Sequence, residues 1–280
     1  MNESTVDRYA VIGHPIEHSR SPQIHAAFAE QTGQRLSYGR LLAPLDGFAA
    51  TVAGFRAAGG RGLNVTVPFK LEAAALADTL TPRAAAAGAV NTLVFAGAGV
   101  LGDNTDGVGL VRDLERRLAC PLAGRRVLLL GAGGAARGVV LPLLEAGVAS
   151  IGVFNRSRDR ARELAAAFDQ AAGGRLAALD DYPSSGIDLI VNATSAGLQD
   201  AAPAVPPACL AGARLAYDMV YAARPTAFMR AAGQAGCARV SDGLGMLVEQ
   251  AAESFRLWRG VMPETTPVYA ALRASIDAGA

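Results

Sequence analysis

The chain is poor in several residue types at once. Of its 280 residues three are cysteine, three are histidine and one is tryptophan. Cys120, Cys209 and Cys237 are odd in number and far apart, which excludes a disulfide framework or a zinc knuckle and fits a reducing, cytoplasmic compartment. Net charge is +1, so no basic field points to nucleic acid. No apolar run approaches the roughly 18 residues that suggest a membrane span, and the opening MNESTVDRYAVIG has neither the basic start nor the apolar stretch of a secretory signal. Pro15 and Pro22 separate His14, His18 and His25, and no acid or cysteine completes a ligand set, so no metal site is expected. What is plentiful is apolar content, 51% against 18% charged, as in a globular chain with room for one large or two ordinary domains.

The most informative stretch is VLLLGAGGAARGVV, residues 127–140. Four apolar residues form a short buried strand, a glycine turn follows at Gly131, Gly133 and Gly134, and a helical pattern starts at Ala135. That order is the context a dinucleotide-binding loop requires. The first glycine allows the tight turn and the second lets backbone approach a pyrophosphate. Ala136, in the third slot, is small enough for helix and strand to touch. The helix N-terminus offers unpaired N–H groups and a positive dipole end to phosphate. The next strand, residues 150–154, ends in Asn155-Arg156-Ser157-Arg158 with no acid where NAD-binding folds place one. An arginine there accommodates a 2′-phosphate, so Arg156, with Ser157 and Arg160, points to NADP; the alternative is a solvated basic turn.

In chain order, residues 9–13 read as a strand and Ser21-Pro22 opens a helix closed by Gly33, with Ser21 as its cap. Ser19 has no such duty, and the two hydroxyls could grip a carboxylate. Residues 36–42 form a second strand and 45–58 a helix. Residues 62–67 form a third strand that ends in Pro68-Phe69-Lys70. Asn64 and Thr66 share one face of it, while Val65 and Val67 turn inward. That polar face is either the wall of a site or an exposed edge with a solvated lysine. Asn91 precedes another β run, and Asp106 opens a helix over about 108–119, where it could be an N-cap. On that helix Arg112, Asp113, Arg116 and Arg117 read as an outer, solvated face. Pro142 predicts a kink or an early end to the helix over 135–146. Residues 187–191 run into Asn192-Ala-Thr-Ser-Ala-Gly197, a strand end of the kind that borders a cofactor crevice, and residues 215–220 form a further strand ending at Tyr221. Residues 243–258 form an amphipathic helix with Gln250 at the border of its apolar stripe. The fold class is α/β: residues 107–242 form a Rossmann-like domain with a parallel sheet, inserted into a discontinuous substrate domain of residues 1–106 and 243–280, with the active-site cleft between them.

These segments together resemble the shikimate dehydrogenase family, in one consistent order over residues 11–251. The strings GHPIEHSRSPQIH, NVTVPFK, GAVNTL, GDNTDGVG, GAGGAARG, NRS, NATSAG, YDMVY and GLGMLVEQAA carry the resemblance. It implies NADP-dependent, reversible reduction of 3-dehydroshikimate to shikimate, on the route to chorismate and the aromatic amino acids. It implies that Ser19, Ser21, Thr66 and Tyr221 hold the substrate carboxylate. Asn64, Lys70, Asn91, Asp106 and Gln250 would bond the ring hydroxyls and the reacting oxygen, with Lys70 and Asp106 as the catalytic pair. Gly133, Gly134 and Ala135 would meet the pyrophosphate, and Asn155, Arg156, Ser157 and Arg160 the adenosine phosphate. Thr194, Met219 and Gly243 would line the nicotinamide end. His14 and Ser157 replace the asparagine and threonine common in the family, and the segment after Tyr221 departs most from its pattern. Three relatives share most of the site: an NAD-dependent quinate/shikimate enzyme, an aminoshikimate-type enzyme, and a regulatory protein that binds shikimate without turning it over. Lys70 and Asp106 oppose the last of these. The implied partner is a small molecule, with no nucleic acid and no membrane; the oligomeric state is left open, a homodimer being one outcome.

Overall fold

The structure is a computed structural model that describes residues 6–196 and 201–279. Gly197, the last residue of the NATSAG string, lies outside the described residues. The chain forms two compact units: Met1–Thr105 with Val248–Val268, and Asp106–Leu247 with Tyr269–Ala280.

In the first unit, strands β1 (Asp7–Gly13), β2 (Leu36–Leu42), β3 (Gly60–Val65), β4 (Thr79–Leu80), β5 (Thr92–Ala96) and β6 (Gly99–Asp103) form one sheet in the order β2-β1-β3-β5-β6-β4. β1 runs parallel to both neighbours, whereas β5 is antiparallel to β3 and β6. The helices of this unit are α1 (Ser21–Thr32), α2 (Phe48–Ala57), α3 (Lys70–Leu76) and α4 (Pro82–Ala87). Apolar residues of β1, β3 and β5 (Ile12, Leu63, Leu93) meet Phe48 and Phe69 in its core. Burying side chains of this size stabilises by about 1.5–3 kcal/mol each.

The second unit begins with α5 (Asp106–Arg112) and contains β7 (Arg126–Leu130), α6 (Gly134–Glu145), β8 (Ser150–Phe154), α7 (Arg158–Ala167), α8 (Asp169–Ala172), β9 (Leu176–Ala178), β10 (Leu189–Asn192), α9 (Pro207–Ala211), β11 (Leu215–Asp218), α10 (Ala227–Gln234) and β12 (Val240–Ser241). Every pair in its sheet is parallel, and the order is β9-β8-β7-β10-β11-β12. That is the 3-2-1-4-5-6 order of a doubly wound dinucleotide fold, whose ligand crevice opens at the carboxyl ends of the two central strands. Helix α11 (Leu244–Arg259) leaves this unit for the first, and α12 (Thr266–Ala278) follows it.

Several expectations need correction. The 243–280 segment is not of one allegiance, since residues 243–247 and 269–280 pack with the second unit. Arg273 on α12 grips both oxygens of Asp242 (2.7 and 2.6 Å), and the Arg117 guanidinium lies 4.5 Å from the Tyr269 ring centroid. β3 stops at Val65, so the alternation ends there and Val67 is exposed. Helix α6 contains Pro142 and ends at Glu145, one residue before the end that its pattern suggests. Proline frees the carbonyl four residues back, here that of Gly138, and a Cβ on Gly107 would overlap this carbonyl and the Pro142 ring, so α5 can lie close against α6 only through a glycine. α11 is buried all round over most of its length, acids included, and is not a half-exposed amphipathic helix.

Asp113 is not on a solvated face. Beyond α5 the helix widens to a π turn over Asp113–Arg117, and Asp113 is fully buried. Its carboxylate accepts from the Tyr217 hydroxyl (2.7 Å) and from Arg117 Nη2 (3.0 Å), and a Cβ on Gly245 would overlap it. Asp113→Leu leaves the buried Tyr217 hydroxyl without its acceptor and the partly exposed Arg117 guanidinium without its carboxylate, so it is expected to destabilise by about 1–3 kcal/mol. Asp113→Asn, which keeps an acceptor, should cost less. Urea midpoints of the three proteins decide; a loss under about 1 kcal/mol for the leucine variant would refute the buried-pair account.

Candidate active site

In the first unit three of the expected substrate residues, Asn64, Asn91 and Gln250, lie in one buried polar cluster. Asn64, on β3, donates from Nδ2 to Ser254 Oγ (2.9 Å) and Thr92 Oγ1 (3.1 Å), and its Oδ1 accepts from the Tyr38 hydroxyl (2.7 Å). Asn91, just before β5, donates to Thr105 Oγ1 (2.9 Å) and to Gln250 Oε1 (3.2 Å). Its Oδ1 accepts from the Thr105 backbone N–H (2.8 Å). Asn64, Asn91 and Gln250 are all at least nine-tenths buried. Buried amides survive only when bonded, and these hold one another at fixed angles. Tyr38, Thr92, Thr105 and Ser254 were missed by the sequence reading. The one sequence signal for Ser254 is its place one helical turn after Gln250, whose carbonyl its hydroxyl bonds (3.1 Å).

Ser19 and Ser21 are adjacent, with their hydroxyls 3.2 Å apart. The expected division of labour is reversed: Ser21 is the first residue of α1, and Ser19 Oγ accepts from the Ser21 N–H (3.3 Å). The side chain two residues upstream therefore caps, because Arg20 takes the N-cap position. Thr66 is half-buried just past β3, and half-buried Lys70 opens α3 after the fully buried Phe69. Lys70 is also the chain's sole lysine, a compositional signal that went unread: the other 25 of its 26 Lys+Arg residues are arginine. His25, on α1, is wholly buried and stacks on Tyr38 at 4.2 Å, with Phe28, Phe255 and Trp258 around it. Neither ring nitrogen has a partner in hydrogen-bond geometry. Burial lowers its pKa to about 3, only partly offset by the nearby Asn64 side chain.

In the second unit Asp106 opens α5 and is 5% exposed. Gly131 ends β7 at a φ of +105°, and a Cβ there would lie 3.1 Å from the Ala193 carbonyl, beside β10. Glycine is therefore required at the fork between the two central strands. Gly133, by contrast, has ordinary extended backbone, and a Cβ on it would meet no protein atom. Its lack of a side chain suits a ligand lying on the loop. Gly134 and Ala135 start the twelve-residue α6, and Ala136 is buried as expected. At the end of β8, Asn155 Nδ2 donates to the Ser157 carbonyl (2.9 Å), and Ser157 occupies the N-cap of α7. Arg158 and Arg162 face Asp181, Asp159 and Asp180. Arg156 and Arg160 are exposed and, among the described residues, pair with no carboxylate. These residues fit a dinucleotide carrying an extra phosphate.

The strand ends beyond Gly131 are locked together. Asn192 donates to Asp218 (3.1 Å) and accepts from the Thr194 hydroxyl (2.7 Å). Asp218 also accepts from Val220 N and the Thr226 hydroxyl, though burial still raises its pKa from the ordinary value. Met219 follows Asp218, and a Cβ on Gly243 would overlap the Met219 carbonyl. Tyr221 is half-buried, and the Ala222 carbonyl after it accepts from Arg273 (3.3 Å). Among the described residues no three His, Cys, Asp or Glu side chains form a metal-binding group, and no helix is long and apolar enough to cross a membrane.

A doubly wound sheet with a glycine loop at its switch point, joined in one chain to a cluster of amides and hydroxyls, defines a dinucleotide-dependent oxidoreductase acting on a polar small molecule. Comparison with known proteins narrows the class. Family models match residues 11–93 (shikimate dehydrogenase substrate binding domain), 113–199 (shikimate/quinate 5-dehydrogenase) and 243–273 (shikimate 5'-dehydrogenase C-terminal domain). A shikimate dehydrogenase (NADP(+)) of Aromatoleum aromaticum is 60% identical, covering 98% of this chain and 100% of that protein. An Ael1 enzyme from Pseudomonas putida matches in structure with a TM-score of 0.88 at 47% identity, over 95% of this chain and 98% of that one. The Thermus thermophilus shikimate 5-dehydrogenase, solved with NADP(H) and shikimate, matches with a TM-score of 0.84 at 38% identity, over 96% and 99%. The chain belongs to the shikimate dehydrogenase family.

Proposed function

We propose that this chain reversibly reduces 3-dehydroshikimate to shikimate with NADPH, as a step toward chorismate and the aromatic amino acids. The observation that carries the reading is the buried set Asn64, Asn91 and Gln250, interlocked with Thr92, Thr105 and Ser254. Amides held rigid by one another offer fixed donors and acceptors to a ring bearing several hydroxyls, and they reject analogues that leave those groups unpaired. Ser19, Ser21, Thr66 and Tyr221 are assigned to the substrate carboxylate. The first unit, residues 1–105 with 248–268, is read as the substrate domain, and the second, residues 106–247 with 269–280, as the NADP domain.

The cofactor, when bound, supplies the hydride; the protein supplies alignment and charge. Gly131, Gly133, Gly134 and Ala135 would hold the pyrophosphate against the start of α6. Asn155, Arg156, Ser157 and Arg160 would hold the 2′-phosphate, and Thr194, Met219 and Gly243 would flank the nicotinamide. Lys70 as ammonium stabilises the negative charge developing on the substrate oxygen and donates its proton there, with Asp106 orienting the pair. A cytoplasmic enzyme agrees with three unbridged cysteines. A homodimer is the assembly to test by sedimentation.

Purified protein with shikimate and NADP, and separately with NAD or quinate, tests the reading by reduced-cofactor absorbance. Turnover with NAD and quinate would place it on the dual-specificity branch. Folded protein that binds shikimate but turns over neither pair would be the regulatory relative. Arg156→Ala is expected to raise KM for NADP about 10- to 100-fold, the worth of one lost charge-assisted phosphate contact, and to leave KM for NAD unchanged. Equal changes for both cofactors would make Arg156 a solvated turn.

A further inference from the structure

One guanidinium ties together the two stretches that carry Thr105 and Gln250. Asp103 closes β6 and is fully buried. Its Oδ1 accepts from Arg83 Nε (2.7 Å), Thr81 Oγ1 (2.5 Å) and the Asn104 N–H (2.7 Å), while its Oδ2 faces Arg83 Nη2. The same Nη2 reaches Glu253 Oε1 at 3.1 Å, and Glu253 is 2% exposed. Arg256 closes the cluster on Glu253 (2.7 Å), so two arginines balance two buried carboxylates. Asp103 stands two residues before Thr105, and Glu253 three residues after Gln250. Between Asp103 and Asp106 the chain has little freedom: the Asn104 N–H is bonded to Asp103 and the Thr105 N–H to Asn91 Oδ1 (2.8 Å).

We propose that Arg83, acting through Asp103 and Glu253, is a positioning residue that fixes the register of Asn91 and Thr105 against Gln250 and so sets recognition of the ring-hydroxyl end of the substrate. The inference rests on the shikimate reading of the same site. A planar fork is needed for this task. Arginine can bond Asp103 in two places and still turn one N–H to Glu253, whereas lysine offers a point charge to one carboxylate at a time. Losing Arg83 would leave Asp103 buried without its cation and remove one of the arginines on Glu253, and both stretches would relax independently.

The test compares wild type, Arg83→Lys and Arg83→Gln, the lysine variant keeping the charge if the glutamine variant fails to fold. For Arg83→Lys we expect KM for shikimate to rise and kcat to fall, each about tenfold, while KM for NADP stays within twofold. Amide exchange should quicken at residues 104–106 and 250–253 and not in the β7–β12 sheet. Equal rises in both KM values, or exchange quickening everywhere, would reduce Arg83 to a stability residue and overturn the proposal. Unchanged kinetics or unchanged exchange at those two stretches would also overturn it. Absence of wild-type turnover would count against the shikimate reading alone, because the exchange experiment still decides whether Arg83 couples the two stretches.

Discussion

Lys70→Ala is expected to lower kcat for shikimate oxidation by about 10²- to 10⁴-fold, the usual worth of a positioned acid–base group or oxyanion partner, while KM for shikimate moves by less than about tenfold. The asymmetry follows from when the charge appears. The bound alcohol is neutral and asks little of Lys70, whereas the negative charge that develops on its oxygen as the proton leaves asks a great deal. Lys70→Arg should fare little better. It keeps a positive charge, but a guanidinium does not give up its proton near neutral pH, and its planar fork does not match a site built for one ammonium. The composition agrees: a chain that uses arginine at its other 25 cationic Lys/Arg positions retains lysine here. Steady-state kinetics with shikimate varied at saturating NADP would decide. Parallel losses in kcat/KM through KM alone would make Lys70 a binding residue with no part in the chemistry.

A second large effect is expected at acid pH from His25. In the unfolded chain this imidazole takes up a proton below about pH 6.5. In the folded chain burial lowers the pKa to about 3, so the ring stays neutral until then. Between those values the unfolded state binds the extra proton, and stability therefore falls as pH falls. The loss approaches about 1.4 kcal/mol per pH unit within the window, or roughly 5 kcal/mol across all of it, and it is fully absent above pH 6.5. His25→Phe keeps an aromatic ring among Tyr38, Phe28, Phe255 and Trp258 and removes the proton site. Its stability at pH 4.5 relative to pH 7 should exceed that of wild type by about 2–3 kcal/mol. Parallel pH–stability curves for the two proteins would show that His25 is protonated in the native state, or that the native site opens.

The strand–helix alternation behind the parallel sheet, the glycine loop and the basic strand end were legible because each is written locally. Strand, Gly131, Gly133 and helix follow one another within a dozen residues, and Arg156 lies directly after its strand. What was not legible depends on partners remote in sequence. Asp113 sits among charges that suggest an outer helix face, and only Tyr217, 104 residues on, explains why it turns inward. Ser19 looked free of any capping duty and Ser21 looked like the cap, because the position of the first helical residue depends on local backbone geometry that residue type alone does not set. Asn64 and Asn91 were read as site residues, yet the hydroxyls of Thr92 and Ser254 that orient them come from segments 162 residues apart. The allegiance of α12 likewise rests on Arg273 and Asp242, a pair no periodicity announces.

The solitary lysine has a further use. With every other Lys/Arg side chain a guanidinium, the only side-chain primary amine in the chain is the one at the head of α3. Growth on isotopically labelled lysine would therefore give a spectrum with one side-chain signal, already assigned, and its titration could be followed as substrate and cofactor are added in turn. An amine-selective reagent would likewise leave a single mass increment beyond the α-amino group. The fraction protected from modification by added substrate would count occupied sites directly, without knowledge of the turnover rate.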